Sequence, residues 1–292
     1  MNKIRDLIVI LIGYCICFYL MMMSWNLMFE INIWLRLFFV DVIATIFIYL
    51  CSVLFRNSSW YDAYWSVIPP FLLILVWTDF NADGNFLRSV LVFACVMLWA
   101  IRLTYNWIRS WDGFNHEDWR YVMMKGRTSS KFEFASVDFF QIHLIPTVCV
   151  YLTTVPFCFV LYYPSNGVGI FDLFATLTII SAVILQIVSD QQMYKFRQDP
   201  NNANKVMDKG LWFYSRHPNY LGEILFWSGG LIFALGSTLS NIWLIGGTIV
   251  MYILIARASI PMMDKRSAEK RDGFSDYCKN TPPLLFNFSK TK

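Results

Sequence analysis

From Leu7 to Met28 the chain carries no charged side chain, and seven more predominantly apolar stretches follow it. Such a run is too long for a strand and too apolar on all sides for a surface helix. A helix of about 20 apolar residues instead matches the thickness of a bilayer core. The predicted spans are Leu7–Met28, Ile33–Phe55, Ala63–Phe80, Phe86–Ile108, Val137–Tyr162, Ile170–Asp190, Tyr220–Gly236 and Ser240–Met262. In lipid every backbone N–H and C=O needs an internal partner. The expected fold is therefore all-α, a polytopic integral membrane helical bundle of about eight transmembrane helices. Composition agrees: 57% of the 292 residues are hydrophobic and only 15% charged, where soluble domains carry about a quarter.

The basic residues supply a topology. One alternate set of segments holds Lys3 and Arg5, Arg56, the group from Arg109 to Lys131, the group from Lys195 to Arg216, and eight more from Arg257 onward. The intervening turns, Glu30–Asn32, Asn81–Asn85, Pro164–Gly169 and Gly236–Ser240, hold none. Positively charged loops stay cytoplasmic, so both termini are expected to face the cytoplasm. Lys3 and Arg5 ahead of an apolar run resemble a signal peptide, but no small-residue cleavage site follows, so a retained span is expected. The sequons at Asn57 and Asn287 fall on the cytoplasmic side of this topology and are expected to go unused. The net charge of +4 follows topology and is no nucleic-acid signature. The seven cysteines form no CxxC or Cys/His cluster, so neither a metal site nor a disulfide framework is expected. The chain divides loosely into N-terminal membrane helices over 1–97 and a motif-bearing membrane domain with a cytoplasmic tail over 98–292, read as one structural unit.

Polar residues collect at the cytoplasmic helix ends. Arg102, Tyr105, Asn106 and Arg109 have the spacing of one helical stripe. Snorkelling arginines and a bundle-facing site both explain it. Gln186, Asp190 and Arg197 share a second face, with an Asp–Arg pair as the plain alternative. In the stretch from Leu211 to Glu223, His217-Pro218-Asn219 predicts a helix start, because proline suits the first helical position. Glu223 then lies about one turn inside an apolar helix, four residues after Asn219. A carboxylate there is costly without a partner or a task. Arg216 and His217, beside a flexible Lys-Gly-Leu-Trp approach, suit an anionic ligand. Arg257 and Asp264, seven apart, share a face at the last span. The convergence of these groups predicts a cytoplasm-facing pocket for a charged cofactor, whose phosphates suit arginine forks. No GxGxxG or P-loop is present.

The strings Trp99-Ala100-Ile101-Arg102-Leu103, Glu117-Asp118-Trp119-Arg120-Tyr121, Ser189-Asp190-Gln191-Gln192 and Arg216-His217-Pro218-Asn219-Tyr220-Leu221-Gly222-Glu223 resemble the steroid 5-alpha-reductase-like membrane enzyme superfamily. The similarity runs over roughly Leu98 to Phe286 and is strongest to a broadly distributed, uncharacterised branch. The resemblance implies an NADPH site inside the bundle, with Gln186, Asp190, Arg197, Asn219, Glu223 and Arg257 at cofactor-contacting positions. Gln186 replaces an asparagine of the steroid reductases, and Asp264 a glutamate common in the branch. It also implies reduction of a carbon–carbon double bond in a sterol-like or other lipid-soluble substrate, with Glu223, Tyr220 and Tyr105 as candidates to hydrogen-bond the developing enolate. Two other readings stay open. One is methyl transfer from S-adenosylmethionine, as in the distantly related isoprenylcysteine carboxyl methyltransferases, which share Arg-His-Pro. The other is a non-enzymatic lipid-binding protein. Membrane lipids and a small lipid-soluble molecule are the expected partners, with no nucleic acid and no obligate protein. In a eukaryotic cell the endoplasmic reticulum is the expected home.

Overall fold

The computed structural model describes residues 3–80, 86–163 and 167–287. The predicted turn at 81–85, part of the 164–169 turn, and the Phe288 and Ser289 positions of the second sequon lie outside them. The described residues form helices and contain no strand. The helices are α1 (Lys3–Leu27), α2 (Ile33–Phe55), α3 (Tyr64–Phe80), α4 (Phe86–Ser110), α5 (Trp119–Lys125), α6 (Lys131–Val137), α7 (Ile145–Tyr162), α8 (Ile170–Gln198), α9 (Leu211–Tyr214), α10 (Pro218–Leu235), α11 (Ile245–Leu254), α12 (Ile260–Lys270) and α13 (Phe274–Asn280). A π-turn at Asp138–Leu144 joins α6 to α7, and another at Ile255–Ser259 joins α11 to α12. Among the described residues, six stretches are long and apolar enough to cross a membrane: α1, α2, α4, Lys131–Tyr162, α8 and Leu239–Lys270. The apolar stretch Tyr64–Asp79 is shorter. These features fit an integral membrane protein.

Local chemistry explains the helix boundaries. The Asn32 side chain accepts from Trp34 N at 3.0 Å and opens α2. Arg56, in the left-handed region at φ 53°, closes it. Proline fills the first position of α10, where its missing N–H costs nothing. The predicted turn at Gly236–Ser240 is tight at Gly236-Ser237-Thr238. There α10 ends, Thr238 caps the following 3-10 turn, and Asn241 Nδ2 donates to Ala234 O at 2.9 Å. α3 runs helical through Pro69 and Pro70.

The chain separates into two compact units, Met1–Asn166 and Gly167–Lys292. Buried polar groups lace the first unit together. Tyr64 Oη donates to Asp41 Oδ1 at 2.5 Å, and Thr45 Oγ1 lies 2.8 Å from both Tyr64 Oη and Thr147 Oγ1. Tyr61 Oη also lies 2.8 Å from Thr147 Oγ1. His143, fully buried in the π-turn, faces Ser52 Oγ at 3.1 Å and Asp138 Oδ1 at 3.3 Å. Arg36, inside the second predicted span, pairs with Asp79 at 2.8 Å and lies over the Trp25 ring.

The Glu117-Asp118-Trp119-Arg120-Tyr121 string also has a structural task in this unit. Asp118 caps α5 and grips Arg120 Nε at 2.7 Å, while Tyr121 Oη donates to Asp62 Oδ1 at 2.6 Å. Burial raises the Asp62 carboxyl to about 6, against the opposing pull of Arg120. The Asn57 sequon is held within the same knot. Its amide donates to Phe114 O and His116 O at 3.1 and 3.0 Å, and only 3% of the residue is exposed.

Candidate functional site

In the second unit α8 and α10 pack closely because α10 presents glycine to α8. A methyl group at Gly222 would lie 2.5 Å from Gln186 Cγ and 2.9 Å from Ala182 O. At Gly229, seven residues on, it would lie 2.3 Å from Ile179 Cγ1. Small residues at this spacing let helix backbones approach in a membrane. The approach puts two polar rungs across the seam. Gln186 Nε2 donates to Glu223 Oε2 at 2.7 Å, and Asn219 Nδ2 reaches Asp190 Oδ1 at 3.4 Å. Trp227 Nε1, one turn further along α10, donates to Glu223 Oε1 at 2.9 Å.

The partners of Glu223 thus include an amide and an indole. A carboxylate only accepts, so each amide turns its NH₂ toward its acid and its oxygen away. Those oxygens, Gln186 Oε1 and Asn219 Oδ1, are buried and accept no hydrogen bond. Two orphaned acceptors beside two carboxylates make a site that calls for a donor-rich ligand.

The approach loop is fixed at Gly210. Its φ of +60° favours glycine, and a methyl there would strike the Gln192 amide at 2.5 Å. Gln192 Oε1 instead accepts from Leu211 N at 3.0 Å. Trp212 Nε1 donates to Ser189 O at 3.0 Å, seating the loop on α8 above Met193 and Met207.

Arg216 and His217 are held in a latch. Arg216 Nη2 and His217 Nε2 each lie 2.9 Å from a different oxygen of Asp264. Since the acid only accepts, Nε2 carries the proton. Arg216 Nη1 also donates to the carbonyls of Cys278 and Thr281. The backbone N–H groups of Arg216 and His217 donate to Pro282 O and Pro283 O, and Ser215 Oγ to Leu284 O. Burial keeps the Tyr277 phenol protonated, and it donates to Trp212 O. Residues 281–284 are thus strapped along 215–217. The sequence showed no partner for His217. Asp264, which the sequence placed on one face with Arg257, is that partner.

The remaining candidates are distributed as follows. Asn219 and Tyr220 open α10, with the Tyr220 ring stacked on His217 at 5.3 Å. Arg197 is exposed in the last turn of α8, and Arg257 is exposed in the π-turn. Tyr105 belongs to the first unit, where it is 62% exposed with the Arg109 guanidinium over its ring. The second unit therefore gathers Gln186, Asp190, Asn219 and Glu223 on one seam, and Arg216 and His217 on the latch. Sequence reasoning missed Trp227, although its i+4 spacing from Glu223 was visible. It also missed the tail strap, which no local pattern announces.

Comparison with known proteins adds a frame to this geometry. A protein described as uncharacterised from Schizosaccharomyces pombe (strain 972 / ATCC 24843) is 26% identical over 246 residues, covering 75% of this chain and 70% of that protein. No solved structure matches the chain. The family described as protein of unknown function (DUF1295) matches residues 48–281, a span that takes in the seam, the latch and most of the first unit, and the chain belongs to that family.

Proposed function

We propose that the protein is a membrane-embedded, NADPH-dependent reductase of a carbon–carbon double bond in a sterol-like or other lipid, a member of the steroid 5-alpha-reductase-like superfamily. In this reading about eight helices span the membrane, both termini and the site face the cytoplasm, and a eukaryotic cell keeps the protein in the endoplasmic reticulum.

The observation that carries the reading is the pair of orphaned acceptors, Gln186 Oε1 and Asn219 Oδ1, each beside a carboxylate on the α8–α10 seam. The ribose hydroxyls and carboxamide of a nicotinamide dinucleotide are donors that such a seam would satisfy. Gln186, Asp190, Asn219 and Glu223 would hold that end, with Arg197 and Arg257 available to its phosphates. When bound, the dinucleotide supplies hydride. The chain's own part is orientation and charge. Gly222 brings Gln186 against Glu223, Trp227 fixes the second Glu223 oxygen, and the strap holds Arg216 and His217 in place. Tyr220, at the start of α10, is the hydroxyl proposed to stabilise a developing enolate.

The test is ligand-dependent thermal stability of the purified chain, because a ligand selective for the folded state raises its apparent stability. NADPH is expected to stabilise it and S-adenosylmethionine not. The reverse order would turn the assignment to methyl transfer, and no response to either would favour a lipid-binding protein. Lipid extracts from cells with and without the protein then identify the substrate by a two-hydrogen mass shift.

A further inference from the structure

We infer that Asp41 is a proton-binding site, a carboxylic acid that keeps its proton at neutral pH inside the first unit, independent of the reductase reading. Asp41 lies eight residues past Ile33, the first residue of α2, or roughly 12 Å along the helix axis. α2 is one of the stretches long and apolar enough to cross a membrane. An ionisable group at that depth is costly when charged, and such groups mark functional sites. Among the described residues no cation neutralises it. Arg36, on the same helix, is engaged by Asp79 at 2.8 Å, and His143 faces Ser52 and Asp138. The titratable groups within electrostatic reach of Asp41 are Tyr61, Tyr64, Cys17 on α1, and Tyr151 and Cys158 on α7. None of these carries positive charge in either form.

Hydrogen supply separates the two forms of the acid. Six contacts join Asp41 to its hydroxyl neighbours and those neighbours to one another. Tyr64 Oη lies 2.5 Å from Asp41 Oδ1, 2.9 Å from Asp41 O and 2.8 Å from Thr45 Oγ1. Thr45 Oγ1 lies 3.0 Å from Asp41 O and 2.8 Å from Thr147 Oγ1, which lies 2.8 Å from Tyr61 Oη. Each contact needs a hydrogen, and Thr45, Tyr61, Tyr64 and Thr147 bring one apiece. An ionised Asp41 therefore leaves two of the six as bare oxygen pairs. It also leaves a charged Oδ2 buried without a donor, and an unmatched buried charge is the most costly orphan. A proton on Oδ1 supplies the fifth hydrogen. Asp41 then donates to Tyr64 Oη, Tyr64 turns to the Asp41 carbonyl, and Oδ2 becomes the neutral carbonyl oxygen of an acid. Oxygen spacing is the same whichever atom holds the shared hydrogen.

The surroundings favour a proton over a larger cation. Asp41, Thr45, Tyr64 and Thr147 are 0% exposed and Tyr61 is 1% exposed. A metal ion would need several oxygen ligands around Oδ2, where Asp41 Oδ2 has no polar partner. Binding is a plain acid–base step. Hydronium gives a proton to Oδ1, one O–H bond forms as another breaks, and the carboxylate charge is cancelled without electron transfer. Losing the proton would turn Tyr64 back onto Oδ1 and set a charge between α2, α3 and α7. Occupancy of the site therefore governs how tightly those three helices hold together.

The experiment is infrared spectroscopy of the full chain in phosphatidylcholine nanodiscs at neutral pH, with aspartate isotopically labelled at its side-chain carboxyl carbon. Every protein carries Asp62→Asn, so that the other buried acid adds no band. The expected result is a carboxylic-acid carbonyl band that moves with the label and is lost in Asp41→Asn. In Tyr64→Phe the band should persist at higher frequency, because the acid has lost its hydrogen-bond partner. An absent aspartic-acid band, or a band at full intensity in Asp41→Asn, would overturn the inference. Where Asp41→Asn does not fold, Tyr64→Phe decides: a shifted band keeps the site, and an unmoved band removes it. None of these outcomes depends on whether NADPH binds.

Discussion

Gly222→Ala probes the seam most directly. The added methyl would sit 2.5 Å from Gln186 Cγ and 2.9 Å from the Ala182 carbonyl. The carbonyl is backbone and cannot swing aside, so either the helices part or Gln186 moves. Overpacking of this kind costs about 1–3 kcal/mol of stability. Displacing Gln186 also breaks its 2.7 Å bond to Glu223, and a hydrogen bond to a charged group is worth about 1.5–3 kcal/mol. Because Gln186 Oε1 is a proposed ligand contact, NADPH should bind roughly tenfold to a hundredfold more weakly.

Two glycines supply controls. Gly229→Ala meets the flexible Ile179 side chain at 2.3 Å but no residue of the ladder, so it should cost similar stability and leave affinity intact. Gly246 has open space around it, so Gly246→Ala in α11 should lose no stability and could gain up to about 1 kcal/mol. Thermal melts across an NADPH titration in one detergent report stability and affinity together. The reasoning fails if Gly222→Ala binds NADPH as wild type does, or if Gly229→Ala loses as much affinity.

Three further outcomes follow from other contacts. Asp264→Ala leaves Arg216 and His217 without their shared acid, and should destabilise by about 1.5–3 kcal/mol, with Asp264→Asn milder because it keeps an acceptor; equal melting of all three proteins would remove the latch as a stabilising device. The Asp62 carboxyl, raised by burial to about 6, favours the fold while protonated, so its contribution is full below the unfolded value near 4 and is lost as pH rises through 6; stability measured from pH 4 to 7 should show this loss in wild type and not in Asp62→Asn, and identical profiles would contradict it. Asn57 is buried and spends its amide on Phe114 O and His116 O, so glycosidase treatment should leave gel mobility unchanged at this site, while Asn57→Gln lowers the melting temperature.

The all-helical membrane architecture was legible because hydrophobic runs near bilayer length have few other folds. The α10 start and the turn at 236–240 were legible because proline, glycine and threonine act locally. Half of the seam was legible too: the four-residue spacings of Gln186 with Asp190 and of Asn219 with Glu223 put each pair on one face. The choice of partners was not, since Gln186 meets Glu223 and Asp190 meets Asn219 only after two helices pack antiparallel. Asp264 shows the same limit. Its seven-residue spacing from Arg257 is a fact of one helix, but its contacts with Arg216 and His217 depend on a separate chain segment. The first unit hid most. Asp41 inside an apolar helix was the available signal, yet its neighbours Tyr64, Tyr61 and Thr147 lie scattered through more than a hundred residues.

That scattering bears on how the protein is made. Thr147 on α7 joins hydroxyls brought by α2 and by the turn before α3, 102 residues from Thr45 and 86 from Tyr61. While the ribosome is still synthesising α4, the earlier helices must wait in or beside the lipid with polar atoms that have no final mate. Nascent chains halted ahead of Thr147 should therefore linger with the insertion machinery, and release should come only after α7 emerges to complete these hydroxyl contacts.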